Sequence, residues 1–299
     1  MKNLIVYAFC LSLFSLSYGQ QADGQSSVLI VDGFSNHDLK QTSSVSRDIL
    51  EETGMFSVSV STTPSSAQDP GWQSWNPEFA EYDVVVQNCN NINNKNLRWP
   101  TSIEKELENY VRNGGGLYIL HSANNSFSEW DQYNLMIGMG WRKKDEGDAL
   151  EISDKGTIIR IPSGEGENTS HGARFEALIQ VLDEHVLNEG YPDSWRTPNM
   201  ELYLHPRGPA KNVTVLSYAK DPLSGRSWPV EWLVQYGKGW VYNSSMGHLW
   251  KGESYPESYR CIGFQTTMIR TVEWLATGKV SYPVPENFPT ATSISLNPQ

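Results

Sequence analysis

Residues 28–31, Val-Leu-Ile-Val, and residues 117–120, Leu-Tyr-Ile-Leu, are short unbroken apolar runs, each ended abruptly by polar residues. A strand covered on one face would alternate, so these runs predict parallel strands buried on both faces. Residues 56–60 alternate as a second strand, and residues 82–87 give a third that also breaks into polar residues. Apolar positions at helical spacing lie between them. Val45, Ile49 and Leu50 predict a helix over 42–53 that stops at Gly54. Ile103, Leu107, Tyr110 and Val111 predict another that starts at Thr101, with Glu104 three residues on as the partner of a capping box. Strands and helices that alternate through short connections imply a right-handed, doubly wound parallel sheet.

Past residue 141 this alternation stops. Residues 130–141 are partly helical in pattern, residues 150–153 and 157–161 flank Asp154-Lys155-Gly156 as a hairpin, and residues 163–172 read as a polar loop or flap. Residues 201–204, 213–218, 230–235 and 240–243 predict additional strands, the last two joined at Gly237-Lys238-Gly239. A closing helix follows over 264–276, and the polar, proline-bearing stretch 286–299 reads as an extended or frayed tail.

Composition changes the picture at the amino terminus. Lys2, the apolar run 4–16 and Ser17-Tyr18-Gly19 read as an export signal over residues 1–19, followed by a leader over 20–27 and one domain over 28–285. No later run is long enough to span a bilayer, so the expected location is secreted or periplasmic. The formal charge of −11 argues against nucleic acid as a partner. Cys89 and Cys261 are read as buried thiols that export permits, but does not oblige, to pair.

Candidate chemistry gathers where strands end, because ligands of open parallel sheets bind outside the carboxyl ends of the strands. His37, His121 and His248 each follow a predicted strand, and Glu201 and Tyr203 alternate about Leu202 on one strand face. Imidazole and carboxylate suit zinc and related divalent ions, so His37, His121 and His248 are candidate metal ligands; no compact ligand motif accompanies them. His121, Glu201 and His248 are equally candidates for acid–base work. The glycines at 114–116 precede their strand, so no nucleotide-binding signature is present. Asn124, Asn125 and Trp250 lie near the same crevice, where amides suit hydroxyl groups and an indole suits the C–H face of a sugar. His171 is read chiefly as a loop residue that a flap can carry inward, and His185 and His205 as structural.

Taken in order, Asp32-Gly33 with Asn36-His37, the block 114–125, Trp130 with Tyr133-Asn134, His171-Gly172, Glu201-Leu202-Tyr203, Tyr236-Gly237-Lys238-Gly239, Gly247-His248 and residues 266–278 resemble the ThuA-like family, named for trehalose utilisation. The resemblance covers most of the chain. It implies an α/β, flavodoxin-like sheet related to the class I glutamine amidotransferases, mostly parallel, with additional strands and loop insertions, and a carbohydrate-related setting. Those amidotransferases use a cysteine just after a central strand; the equivalent turn here reads His121-Ser122-Ala123, so glutaminase activity is not expected. The expected function is an exported enzyme performing acid–base chemistry on a sugar or sugar derivative, with a divalent metal as an open option. The alternative is a non-catalytic carbohydrate-binding protein that uses the same crevice. The oligomeric state is not legible in the sequence.

Overall fold

The computed structural model describes residues 24–298; the export segment expected over 1–19 lies outside them. The leader expected over 20–27 gives way early, because the first strand begins at Ser26.

The amino-terminal half runs β1 (Ser26–Asp32), α1 (Leu39–Glu51), β2 (Phe56–Thr62), β3 (Val84–Gln87), α2 (Thr101–Arg112), β4 (Gly116–Leu120) and α3 (Asp131–Ile137). Alternate residues along these strands enter different cores. Val28, Ile30, Val84, Val86, Tyr118 and Leu120 pack with α1 residues on one face. Leu29, Val31, Val85, Leu117 and Ile119 pack with α2 and α3 residues on the other. Each fully buried Val, Ile or Leu contributes about 1.5–3 kcal/mol, which is why the runs are continuous and not alternating.

The second half adds β5 (Asp148–Ile152), β6 (Ile158–Ile161), β7 (Ser170–His171), β8 (Phe175–Val181), β9 (Ser194–Met200), β10 (Tyr203–Leu204), β11 (Arg207–Gly208), β12 (Val213–Lys220), β13 (Ser227–Tyr236) and β14 (Gly239–Ser244), then α4 (Glu257–Arg260) and α5 (Ile262–Thr277). The main sheet has the order β2-β1-β3-β4-β14-β13-β12-β8-β9. From β2 to β14 neighbours are parallel. From β14 to β9 they are antiparallel. The fold is thus the expected flavodoxin-like parallel sheet, extended on one side by additional strands. Gly116 permits its closure: a Cβ there would lie 2.7 Å from Cβ of Leu275 on α5.

Several local expectations are corrected. Helix α1 starts at Leu39 and not at 42, because Asp38 caps it by accepting a bond from Gln41 N at 3.2 Å. The capping box at Thr101 does not form; Pro100 holds the cap position, and buried Glu104 is instead forked by Arg98. Strands β8 and β9 were not legible, and Pro198 in β9 hid the second. Proline is tolerated there because β9 is an edge of the sheet. Glu201 follows β9 and does not share a strand with Tyr203. The described part of the tail, 286–298, is extended but not frayed: Phe288 is buried against Tyr191 and Trp195, and Ile262 N donates to Ser295 O at 3.0 Å. Cys89 and Cys261 are both buried and unpaired. No helix among the described residues is long and apolar enough to cross a membrane.

Candidate functional site

Strand β1 ends in Asp32, a buried carboxylate that accepts from Ser43 Oγ and Thr62 Oγ1, each at 2.7 Å. Gly33 follows at φ +140°, and a Cβ there would collide with Thr63. This tight exit leads to Asn36 and His37. The His37 Nδ1–H donates to Asn36 Oδ1 at 2.9 Å, which also accepts from Asn90 Nδ2 at 2.6 Å. His37 Nε2 is left buried with no protein partner.

His121 opens a 3-10 turn immediately after β4 with φ +42°, a left-handed backbone that a histidine adopts only at a cost. Its Nδ1–H donates to the Ser245 carbonyl at 2.7 Å. Its Nε2 lies 3.3 Å from Tyr203 Oη and 3.7 Å from Glu201 Oε1. Below the turn, Arg142 is buried and donates to the carbonyls of Asn124, Asn125, Ser126 and Trp141 and to Asn134 Oδ1.

His248 comes from the loop after β14, its carbonyl held by Ser258 Oγ at 2.7 Å. Its Nε2 is 3.3 Å from Glu201 Oε2, and its Nδ1 is 3.4 Å from Arg174 Nη1, which also pairs with Glu253. The three imidazoles form a near-equilateral, edge-to-face triangle with centroid separations of 5.2, 5.0 and 5.2 Å. One ligand atom from each of His37, His121, Glu201 and His248 lies within 4.8 Å of the others.

Electrostatics follow from burial. Desolvation, reinforced by His248, lowers His37 to about 4 and takes His121 well below its ordinary value. Burial is the largest influence and would raise the Glu201 carboxyl, but the hydrogen bond with His248 and the charges of His121, His248 and His171 together outweigh it and hold the group below the usual carboxylate range. At neutral pH the site therefore presents neutral imidazoles at His37 and His121 beside an ionised carboxylate. Burial together with Glu201 pushes the Tyr203 hydroxyl well up, so it remains a proton donor.

A buried His/Glu cluster of this kind could hold a metal ion. Two tests on the protein itself agree. The Nδ1–H bonds of His37 and His121 fix the tautomer that leaves Nε2 as a lone pair, as metal-bound histidines require. The buried, unpartnered Nε2 of His37 is the orphan atom that a cation would satisfy.

The residues singled out in the sequence are mostly together. His37, His121, Glu201, Tyr203 and His248 converge, and Trp250, 44 % exposed, stacks on His248 at 6.1 Å and meets His37 edge-on at the rim. Asn125 is nearly buried, with its Oδ1 unpartnered. Asn124 has no exposed surface, and both its Nδ2 and its Oδ1 are buried without a partner among the described residues. His171, read as a loop residue that a flap can carry inward, is on a strand: β7 pairs with β10 so that His171 sits opposite Tyr203, and its Nδ1 is 3.8 Å from Glu201 Oε2. Trp141 packs on both His171 and Tyr203. Arg174 and Glu253 carried no sequence signal, because long-range loop packing brings them in.

The fold and site define an α/β protein with a flavodoxin-like sheet in which a histidine–glutamate cluster stands at the carboxyl ends of the strands. The profile of the ThuA family, described as trehalose utilisation, matches residues 27–275, and the chain belongs to that family. It is similar to a ThuA-like protein from Parabacteroides merdae, at 32% identity over 91% of this chain and 98% of that one, with a TM-score of 0.84. More distant likenesses include a cytoplasmic protein from Salmonella typhimurium LT2, at 14% identity over 84% of this chain and 100% of that one, with a TM-score of 0.44. A glutamine amidotransferase from Thermotoga maritima matches at 13% identity over 74% of this chain and 75% of that one, with a TM-score of 0.40. No curated protein matches the chain.

Proposed function

We propose that this protein is an exported enzyme performing acid–base chemistry on a sugar or sugar derivative, with His37, His121 and His248 holding a divalent cation and Glu201 as the proton-transfer group. The observation that carries the reading is the convergence of four buried ligand atoms within 4.8 Å around the unpartnered Nε2 of His37. Three imidazoles are a donor set of catalytic zinc, and the ion held by them would supply Lewis acidity at the site. Glu201, ionised beside them, accepts a proton from a hydroxyl or water within hydrogen-bond reach. Tyr203 brings a hydroxyl donor to within 3.3 Å of His121 Nε2, and Trp250 offers an indole face at the rim. The family description supports a carbohydrate; so does a rim of indole and imidazole.

A thiol mechanism finds no support. Cys89 and Cys261 are buried and neither belongs to the ligand group, and burial pushes both thiols up. The test is elemental analysis of untagged protein alongside turnover on a panel of disaccharides and oxidised sugar derivatives. Stoichiometric metal and turnover that a chelator removes are expected. Sugar binding with no product across the panel would replace this reading with a carbohydrate-binding protein.

A further inference from the structure

We infer that Arg174 is a positioning residue of the histidine centre, holding His248 in the tautomer opposite to that of His37 and His121. Arg174 on His248 and a cation on His248 then exclude one another, a consequence that rests on reading the cluster as a metal centre. The two neighbours of the His248 ring select the same tautomer independently. Nδ1 lies 3.4 Å from Arg174 Nη1, and a guanidinium can only donate, so Nδ1 accepts. Nε2 lies 3.3 Å from Glu201 Oε2, an ionised carboxylate that can only accept, so Nε2 carries the proton. His37 and His121 are held the other way round: their Nδ1–H groups donate to Asn36 Oδ1 and Ser245 O, and Nε2 is left as the lone pair. The cluster as it stands therefore offers a cation two imidazole lone pairs and a third nitrogen that carries hydrogen.

Ligation through His248 Nε2 requires the proton to sit on Nδ1 instead. No proton is gained or lost in that change, but Nδ1–H would then point at the N–H of Arg174, donor against donor. One of the two groups has to give way, and their surroundings decide which. His248 is buried, its carbonyl is held by Ser258 Oγ at 2.7 Å, and Trp250 stacks on its ring. Arg174 immediately precedes β8, at the end of the polar stretch 163–172, and its side chain is 36 % exposed. Its Nη1 also reaches Glu253 Oε1 at 2.7 Å, and Glu253 is fixed in turn because its Oε2 accepts from Trp250 N at 2.8 Å. The guanidinium thus has both the room to leave the ring and a carboxylate that retains it when it does. Arg174 is in this way the group through which the segment before β8 acts on the centre.

The experiment takes two readouts from untagged protein. Long-range proton–nitrogen correlation spectra of the metal-free protein report the tautomer of each histidine, with His248→Asn assigning the His248 signals. Nε2–H at His248 beside Nδ1–H at His37 and His121 is expected. Arg174→Met should admit the Nδ1–H form at His248 alone, and unchanged His37 and His121 signals show that its fold is intact. Zinc titration against a competing chelator supplies the second readout. Arg174→Met roughly keeps the length of the side chain and removes the opposing donor, which corresponds to a gain of about 10-fold or more in zinc affinity. Lys251→Met is the control for charge alone: Lys251 is exposed and near enough to lower His37, and its loss should raise the affinity much less. Nδ1–H at His248 in the native protein, or a zinc affinity that rises no more in Arg174→Met than in Lys251→Met, overturns the inference. The expected tautomers in a protein that binds no zinc, native or Arg174→Met, would leave the positioning role standing and remove the metal reading instead.

Discussion

The imidazole of His121 is hydrogen bonded through Nδ1 to the carbonyl of Ser245, 2.7 Å away on the neighbouring strand connection. Leu120 and Ser244 are register partners in the parallel pair β4–β14, so His121 and Ser245 are the next residues out on each side. The sheet itself thus sets the tautomer of a site residue.

From this relationship follows a prediction about metal. His121→Ala removes one imidazole and leaves the Ser245 carbonyl to water or a neighbour. Elemental analysis of untagged protein should show metal affinity reduced at least 100-fold in His121→Ala and His248→Ala. Unchanged stoichiometric metal in both would exclude these ligands.

Arg142 is the support beneath that turn. Burial lowers it to about 10, so at neutral pH it is a buried cation whose donors satisfy four carbonyls and one amide. Arg142→Met leaves those acceptors orphaned, and we expect a loss of about 3 kcal/mol or more. Denaturant unfolding measures it; a loss under about 1 kcal/mol would show that the turn is held by other contacts.

Stability of the ion-free protein should depend on pH in one direction. His37 and His205 are each lowered from 6.5 to about 4, chiefly by burial, with His248 adding to the first and Arg226 and Arg207 to the second. Unfolded, each takes up its proton near pH 6.5; folded, only near pH 4. Between these values the unfolded state binds more protons, so stability falls as the pH falls. The residues facing His205 include Glu151 and Glu167, which oppose the shift without reversing it. Melting temperatures from pH 7 to 4 should decline, and His205→Gln should flatten the decline.

The amino terminus supplies a prediction independent of the site. The charged start, short apolar run and Ser17-Tyr18-Gly19 lead us to expect cleavage near residue 19. Sequencing the protein from the exported fraction checks it, and a cytosolic chain that begins at Met1 would defeat it.

Legibility differed between the halves for a physical reason. Residues 28–31 and 117–120 are buried on both faces by local βα units, so their pattern announced both strands and the polar ends carrying His37 and His121. Strands β8 and β9 depend on antiparallel partners far along the chain, and the sequence of β9 contains Pro198. His171 reaches Glu201 only because β7 finds β10, a two-residue pairing with no pattern of its own. Glu201 meets the histidines from a turn, since it lies after β9 and not on a strand with Tyr203.

The decisive prediction concerns Glu201. Its carboxylate sits 3.3 Å from His248 Nε2 and 3.7 Å from His121 Nε2, and against the opposing effect of burial the surrounding histidines together hold it low, so it is ionised at neutral pH. If it transfers a proton, Glu201→Gln should cost about 10²- to 10⁴-fold in kcat, while ligand affinity changes much less. Gln keeps the shape and can still meet His248, so a purely structural role would leave kcat within a few-fold. The pH profile separates the cases further: loss of the carboxylate should remove the acidic limb of kcat/KM, and misfolding would scale the whole curve without moving that limb. Turnover that survives in Glu201→Gln with its acidic limb intact would assign the proton transfer elsewhere, with His171, 3.8 Å from the same carboxylate, the next group to replace.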